Sequence, residues 1–349
     1  MLKAIILGNN QKDEHLPWVL ACEDFKNQIS YRIVNLTAQN WLEEIQKEEA
    51  DVLLAKPACL TSALKQLYDE RIYILAKKLN YKVFPSPEEI FIYENKRLFS
   101  FWLKANKVSH PETYVYYNQA EAIAFSEITQ YPIVAKTNIG AAGSGVKIIK
   151  NKKDLKDYIQ KTFSGQGAPK RWGPNLKKGN LSNRVINLIR NPKKLISTGR
   201  NYLIRKKDQQ TEFVIFQKFI KHDFEWRVVR IGNSFFAHKK LKIGEKASGS
   251  ILKNYDNPPL ELLDFVKDIT DKHNFLSQAV DVFETKDGKF LVNEMQCIFG
   301  QSDNFQMMVD GVIGRYMYTN NSWIFESGDF NKNQSYNLRV QTVLELYGK

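Results

Sequence analysis

Cysteine is scarce in this chain of 349 residues, which has only Cys22, Cys59 and Cys297. The three lie far apart, are odd in number and show no CxxC spacing, so neither a disulfide framework nor a cysteine-rich metal site is indicated. We therefore expect free thiols and a cytoplasmic protein. The five histidines are scattered without zinc-ligand spacing,. The absence of a GxSxG motif disfavours serine-hydrolase chemistry.

Long apolar runs are absent as well. No stretch of 18 uncharged apolar residues occurs, which argues against a transmembrane helix,. The short apolar start, residues 1–10, suits a buried strand better than a signal peptide. A composition of 43% hydrophobic, 26% charged and 12% aromatic residues indicates a folded chain rather than a disordered one,. The length is compatible with about two to three domains.

The positive charge is confined to one segment. The net charge is +13, and residues 151–210 contain 16 Lys and Arg against 3 acidic residues, so the rest of the chain is neutral. Such a block indicates either a solvated insertion or a site for a polyanion. Tyr158, Phe163, Trp172 and Tyr202 are interleaved with the basic residues, a pattern that also suits nucleic acid.

Alternating strand-like and helix-like stretches predict a parallel α/β sheet over residues 1–88. Pro85 and Pro87 then break the pattern and place a domain boundary near residue 88. The predicted strands here are 3–8, 31–36, 51–55 and 82–84, and the helices are 41–49 and 60–80. Further on, helices are predicted at 88–106 and 259–273, and strands at 131–136, 145–149, 213–219, 225–231, 235–240, 279–284 and 289–294. The tail beyond residue 300 shows no clear pattern.

A glycine-rich turn at 138–146 (NIGAAGSGV) separates two predicted strands. Backbone N–H groups in such a turn can converge on an anion because no Cβ blocks the approach. It is not a P-loop, and the strand that follows is unlike the helix of a dinucleotide fingerprint. The turn suits a flap closing over phosphates, and Lys136 on the preceding strand could supply a cation. A plain hairpin turn would give the same pattern.

Carboxylates recur on the later predicted strands. Glu225 and Arg227 are two apart, so both point to one face of their strand. Asp281 and Glu294 belong to one hairpin and can face the same side, and Gln296 repeats the facing of Glu294. Two carboxylates and an amide oxygen form an all-oxygen set suited to Mg²⁺. Taken singly, each pair is equally compatible with an ordinary solvated surface.

The order of these features resembles the ATP-grasp superfamily of carboxylate–amine ligases, especially RimK-type and glutathione-synthetase-like enzymes. The resemblance covers roughly residues 90–300, and 233–250 looks like a subgroup associated with bacterial polysaccharide biosynthesis. It implies an α/β ATP-grasp fold in which domain 1–88 precedes an ATP-grasp domain at 89–349. That domain would comprise a lid at about 112–216, which includes the basic insertion 151–210, and a catalytic lobe at about 217–330.

The resemblance also implies a role for each candidate residue. Lys96 and Lys136 would hold ATP phosphates, with Gly143, Ser144 and Gly145 closing over them. Gln217, Lys218, Phe219 and Ile220 would receive adenine, and Glu225 would take the ribose hydroxyl position. Asp281, Glu294 and Gln296 would bind Mg²⁺, while Arg227 and Lys240 would steady the transferred phosphoryl group. Relatives commonly have Glu, Asp and Asn where Gln217, Glu225 and Gln296 stand. Each replacement keeps an oxygen acceptor, so we expect an active enzyme.

The implied reaction uses ATP to convert a carboxylate into an acyl phosphate, which an amine then attacks to form an amide. An acidic acceptor near 151–210 and a homodimer, a common state among relatives, are further expectations. Two alternatives remain: a polyanion or nucleic-acid binder built on a degenerate ATP-grasp fold, and an ATP-grasp kinase. Salt-dependent binding without ATP would distinguish the first, and analysis of the reaction products the second.

Overall fold

A computed structural model describes residues 1–10, 14–140, 145–168, 207–243, 246–247, 252–299, 301 and 303–348, with the isolated positions 199, 203 and 204. Three β-sheets organise these residues. Most of the basic segment, including Trp172 and Tyr202, lies outside them, as do Gly143 and Ser144. No helix among the described residues is long and apolar enough to cross a membrane.

The first sheet is parallel, as the sequence predicts, with strand order β2-β1-β3-β4. Its strands are β1 (Leu2–Gly8), β2 (Ile29–Asn35), β3 (Val52–Ala55) and β4 (Val83–Phe84). The accompanying helices are α1 (Leu16–Asp24), α2 (Trp41–Gln46) and α3 (Ser62–Tyr73), which continues as a π-helical turn, Ile74–Lys78. Strands β1, β3 and β4 are almost continuously apolar, whereas β2 at the edge of the sheet is mixed, and all four contribute to one buried core,.

The single helix predicted at 88–106 is in fact two, α4 (Pro87–Ile92) and α5 (Lys96–Ala105). Ser86 and Glu89 form a capping box at the start of α4, and the Asn95 side chain caps α5 by accepting from the Leu98 N–H,. Between the helices, Glu94 has a backbone φ of +50°, an uncommon value for a residue with a side chain,. This break places Lys96 in the first turn of α5.

The second sheet, here the lid sheet, is antiparallel with order β5-β8-β6-β7. It contains β5 (Thr113–Tyr116), β6 (Ile133–Lys136), β7 (Val146–Ile149) and β8 (Val214–Lys218). Helices α6 (Gln119–Ile128) and α7 (Lys152–Lys161), the latter extended by Thr162–Gln166, pack on it. Ile133, Ala135 and Phe216 point into that core. Since side chains alternate along a strand, Lys136 and Gln217 point to the other face.

The third and largest sheet is antiparallel, with order β14-β13-β9-β10-β16-β15. Its main strands are β9 (Phe224–Ile231), β10 (Ser234–Ile243), β13 (Ser277–Glu284) and β14 (Phe290–Gln296). Short strands β11 (Lys246–Ala247) and β12 (Lys253–Asn254) pair with β10, and α8 (Leu260–Lys272) precedes β13. One face packs against α5 and α8 through a buried cluster that includes Trp102, Val228 and Leu262. The opposite face carries the charged residues.

The unassigned tail is ordered secondary structure. It forms β15 (Met308–Val309), β16 (Val312–Thr319), β17 (Ser322–Ser327) and α9 (Lys332–Tyr347). Helix α9 returns to the first sheet, where Tyr336, Val340 and Val343 join its core. The chain therefore closes by packing its last helix against its first strands.

Candidate functional site

Strand register brings five ionisable side chains together on the open face of the large sheet. Arg227 on β9 lies opposite Asp281 on β13, and Asp281 lies opposite Glu294 on β14. On the other side of β9, Glu225 pairs with Lys240 of β10. We call Glu225, Arg227, Lys240, Asp281 and Glu294 the charged cluster.

Asp281 is the centre of the cluster. It is 1% exposed and accepts two hydrogen bonds from Arg227, at 2.8 Å from Nε and 2.9 Å from Nη2. Lys240 Nζ donates to the same carboxylate at 2.6 Å and to Glu225 at 2.8 Å. Burial alone would raise the pKa of Asp281, but Arg227 and Lys240 outweigh it and hold the pKa well below its usual range,. Asp281 is therefore ionised at every physiological pH.

A β-bulge on β14 adds Asn293 to the site. The register shifts between Asp281 and Val282, so that Glu294 pairs with Asp281 while Val292 pairs with Val282, and Asn293 is the extra residue,. Its amide accepts from Lys136 Nζ at 3.0 Å and donates to Glu225 at 3.4 Å. Asn293 thereby links the lid sheet to the charged cluster.

Glu294 differs from its neighbours because its carboxylate has no hydrogen-bond or ion-pair partner among the described residues. Burial, with the nearby Glu94 and Asp281 carboxylates, raises its pKa against the opposing effect of Lys96,. A divalent cation beside Glu294 would relieve this unfavourable position. In the arrangement described, both Asp281 oxygens are bound by Arg227 and Lys240, and among the described residues no three His, Cys, Asp or Glu side chains converge as a preformed metal site. Gln296, whose residue pair is Ala279, follows on the same face.

Lys136 reaches the cluster from the lid sheet. Burial lowers its pKa to about 8, and only part of this effect is offset by Glu294 and the other carboxylates,. Lys240 behaves oppositely: burial disfavours its charge, yet Asp281 and Glu225 raise its pKa overall. Of these two lysines, Lys136 is the one not paired with a carboxylate at hydrogen-bond distance, so its charge is more readily directed to a ligand.

Lys96 lies beside the base of the glycine-rich turn, as expected for a shared anion site, but an unexpected carboxylate is there too. Lys96 Nζ is 3.4 Å from Glu94 and 3.3 Å from the Gly140 carbonyl oxygen, and the Gly140 N–H donates to Glu94 at 3.3 Å. Glu94 is 8% exposed. The Glu94 carboxylate therefore binds the Lys96 ammonium group and the Gly140 N–H, two groups that could otherwise bind an anionic ligand.

The glycine-rich turn connects two antiparallel strands, and Gly145 is required at its end. A Cβ added there would lie 1.8 Å from Thr137 Oγ1, so any other residue at this position would have to displace the Thr137 side chain. The Thr137 N–H also donates to the Gly145 carbonyl oxygen at 2.9 Å. Gly143 and Ser144 are outside the described residues, so the structure places only the base of the predicted flap.

The predicted hinge lies at the end of β8. Gln217 is buried, shares its face of the lid sheet with Lys136, and donates through its amide to Thr113 Oγ1 at 3.2 Å. Lys218 is exposed and its N–H donates to the Glu112 carbonyl oxygen, while Phe219 and Ile220 are half-buried. The Ile220 carbonyl oxygen lies 2.7 Å from His222 Nδ1 and is not free for a ligand in this arrangement.

Sequence reasoning named all five residues of the charged cluster but missed the neighbouring Glu94 and Asn293. For Asn293 a signal existed: Val292 and Met295 both enter the core behind the sheet although they are three residues apart, which an unbroken strand does not allow,. For Glu94 the signal was Asn95, a good helix N-cap that marks a break before Lys96.

Comparison with known proteins adds a family model and several folds. The ATP-binding domain of the carbamoyl-phosphate synthase L chain matches residues 96–170, from α5 through the turn to α7. No curated protein is significantly similar to the chain.

Solved structures match over much greater lengths. D-alanine–D-alanine ligase from Bacillus anthracis has a TM-score of 0.54 at 14% identity, covering 99% of each chain. The chain has an ATP-grasp fold. N5-carboxyaminoimidazole ribonucleotide synthetase from Thermotoga maritima has a TM-score of 0.51 at 18% identity, covering 84% of this chain and 68% of that one. The corresponding synthase from Aspergillus clavatus, solved with ATP, has a TM-score of 0.53 at 12% identity, covering 86% and 71%.

The ATP-grasp fold confirms the fold class predicted from the sequence. At these identities the likeness concerns the arrangement of sheets and helices, with the first parallel sheet included in the match to the full-length ligase. The chemistry of this chain must therefore be inferred from its own residues.

Proposed function

We propose that this protein is a Mg-ATP-dependent, ADP-forming ligase that joins a carboxylate to an amine. The observation that carries the proposal is the position of Lys136, which extends from the lid sheet to the charged cluster of the large sheet through Asn293. Two sheets thus present cations and carboxylates to one site on an ATP-grasp fold. The ATP and ADP-forming chemistry of the structural neighbours supports the same assignment.

The positive and negative charges of the site balance one another in the absence of ligands. Four cations, Lys96, Lys136, Arg227 and Lys240, accompany four carboxylates, Glu94, Glu225, Asp281 and Glu294. When a nucleotide binds, its phosphates would attract the cations. The carboxylates Asp281 and Glu294, with the Gln296 amide oxygen, would then hold Mg²⁺, which neutralises phosphate charge when bound.

The proposed chemistry needs positioning more than covalent help. A substrate carboxylate oxygen attacks the γ-phosphorus, the bond from that phosphorus to the β–γ bridging oxygen breaks, and ADP and an acyl phosphate result. Arg227 and Lys240 would stabilise the transferred group. Gln217 and residues 218–220 would border the adenine, and Glu225 the ribose, with Gly143 to Gly145 over the phosphates.

The substrates follow less directly. The basic segment 151–210 supports an acidic acceptor, and the resemblance of 233–250 to a polysaccharide-associated subgroup supports a sugar acid within that class. We retain the division at residue 88 and a homodimer as parts of the proposal. Screening carboxylates and amines for ADP release would identify the pair.

Calorimetric titration of a non-hydrolysable ATP analogue, with and without Mg²⁺, tests the central proposal. We expect Mg-dependent binding to the unmodified protein and a roughly ten- to hundredfold loss in Lys136→Ala, because a charge-assisted contact to phosphate is removed. Lys147→Ala is the control, since Lys147 is exposed on the adjacent strand opposite Ala135. No binding by the unmodified protein under any metal condition would contradict the proposal.

Replacing Glu94 by Gln should tighten binding of the same analogue by about three- to fivefold. The neutral amide would compete less with phosphate for Lys96 and the Gly140 N–H, which Glu94 now engages. Glu121→Gln, an exposed carboxylate on α6, controls for the general effect of removing one negative charge. An unchanged affinity in Glu94→Gln would show that Glu94 does not compete with the ligand, and a weaker affinity would show that it supports the ligand.

A further inference from the structure

A second set of polar side chains borders the charged cluster on the same face of the large sheet. His238 lies opposite Arg227, and Lys253 on β12 lies opposite Lys240. We call His238, Lys253, Tyr255, Gln301 and Asp303 the flanking group. Within this group, His238 on β10 is separated from Asp281 on β13 by the single strand β9.

Within the flanking group, all but one of the polar side chains satisfy each other. Lys253 Nζ donates to Asp303 at 2.8 Å and also to the Gln301 amide oxygen. The Tyr255 hydroxyl donates to Asp303 at 2.5 Å, and the Gln301 amide lies 3.4 Å from that hydroxyl. The exception is His238.

The hydrogen bonding of His238 fixes its tautomer. Its Nδ1 lies 3.1 Å from the Gln306 carbonyl oxygen, and since a carbonyl can only accept, Nδ1 carries the proton,. In a neutral imidazole, Nε2 is then a bare acceptor. This Nε2 is buried and, within the part of the chain that the structure describes, has no hydrogen-bond partner. Leaving a buried acceptor unpaired is unfavourable, so its presence requires an explanation.

The surroundings keep His238 neutral and in place. Burial, then the Arg227 and Lys253 cations, lower its pKa to about 3. Gln306 is itself held by Asn331 at 3.2 Å and Ser335 at 3.0 Å, so the carbonyl that orients the ring is rigidly anchored near α9. The half-buried Tyr255 ring lies 5.5 Å from the imidazole. His238 therefore acts as a fixed acceptor over the whole working pH range.

We propose that His238 Nε2 accepts a hydrogen bond from the N–H of the attacking amine, making the flanking group the amine side of the site. This inference rests on the proposed ligase function. Because Nδ1 already carries the proton, Nε2 can only accept, so its partner must donate an N–H, and the attacking amine is the substrate of the proposed reaction that supplies one,.

In the step that His238 orients, the amine nitrogen attacks the acyl carbon of the acyl phosphate. The new C–N bond forms, the bond between that carbon and the phosphate oxygen breaks, and the phosphate leaves with the electron pair. The proton lost from nitrogen is taken up by the departing phosphate, because burial and the neighbouring Arg227 and Lys253 cations disfavour a second proton on His238. His238 is thus a positioning residue rather than a base.

Nitrogen NMR of the full chain labelled with ¹⁵N-histidine tests this, since only five histidines contribute. The Nε2 resonance of His238, assigned by its loss in His238→Asn, should report the neutral Nδ1–H tautomer. In the presence of the ATP analogue and Mg²⁺, hydroxylamine as the amine probe should shift it in a saturable manner. Tetramethylammonium, which has no N–H, should leave it unchanged. A resonance that ignores hydroxylamine, or responds equally to both probes, would overturn the inference.

Two substitutions separate orientation from folding. In His238→Asn the new side chain can still donate to the Gln306 carbonyl oxygen but has no acceptor at the position of Nε2, so hydroxylamine affinity should fall about tenfold. In His238→Gln an amide oxygen lies near that position, so affinity should return to within about threefold of that of the unmodified protein. Equal losses in the two variants contradict the inference. Calorimetry of the nucleotide analogue on the same samples distinguishes failure of the amine site from failure of the ligase proposal. If the unmodified protein does not bind the nucleotide, the ligase proposal is wrong. If it binds the nucleotide but the His238 Nε2 resonance does not respond to hydroxylamine, only the amine site is wrong.

Discussion

Asp281→Asn should destabilise the protein by about 3 kcal/mol, a large loss for one atom exchanged. The substitution leaves the Arg227 guanidinium, whose side chain is only 15% exposed, without the carboxylate that now binds two of its nitrogens, and it leaves Lys240 with Glu225 alone. Uncompensated buried charge is far more costly than the loss of an exposed ion pair. Denaturant unfolding monitored by tryptophan fluorescence measures the difference.

Glu326→Gln is the matched control for this measurement. Glu326 also accepts from two nitrogens of one arginine, Arg315 Nε at 2.9 Å and Nη2 at 2.8 Å, but its side chain is 46% exposed. Water can replace the lost carboxylate there, so we expect a loss below about 1 kcal/mol. Similar losses in both variants would show that Asp281 is not the centre of a buried charge network.

Nucleotide affinity should fall steeply as pH rises above 8. Burial lowers the pKa of Lys136 to about 8, so above that pH the free protein loses the proton and binding of phosphate must first restore it,. Affinity for the ATP analogue in Mg²⁺ should then decrease by roughly tenfold per pH unit until the pKa of the complex is reached. Titrations between pH 7 and about pH 10 measure this slope.

Lys136→Arg provides the comparison, since a guanidinium remains protonated throughout this range. Its affinity should be lower at neutral pH, because the geometry changes, but almost independent of pH. The sign for stability is opposite to that for binding. Between pH 8 and 10.5 the unfolded chain keeps a proton on Lys136 that the native state has lost, so the contribution of this group to stability rises with pH,. Parallel decreases in affinity for both proteins would exclude Lys136 as the titrating group.

The sequence predicted the elements that depend on local pattern. Short β-branched strands separated by helices specified the parallel sheet, and the turn at residues 286–288 specified the hairpin of β13 and β14. Both follow from period-two alternation and turn chemistry, which are properties of neighbouring residues. Regular pairing from that turn would place Asn293 opposite Asp281; Glu294 lies there instead because of the bulge, which was not predicted from the sequence,.

What remained hidden depends on contacts between distant parts of the chain. The contact of Glu94 with Gly140 joins residues 46 apart, and the contact of Lys136 with Asn293 joins residues 157 apart. The tail gave no pattern because α9 begins with three residues in left-handed conformation, Asn333, Gln334 and Ser335. Its apolar residues are selected by the first sheet rather than by neighbours along the chain.

The bulge at Asn293 lets β14 carry one extra residue without changing the faces of its neighbours. Before it, Val292 faces the core and Leu291 the cleft; after it, Met295 faces the core and Glu294 the cleft. A deletion of this single residue, which changes no charge, would restore even alternation and leave Glu294 and Met295 on the faces they now occupy. What it would remove is the amide that joins the lid sheet to the charged cluster, so one inserted residue couples two sheets without turning any neighbouring side chain.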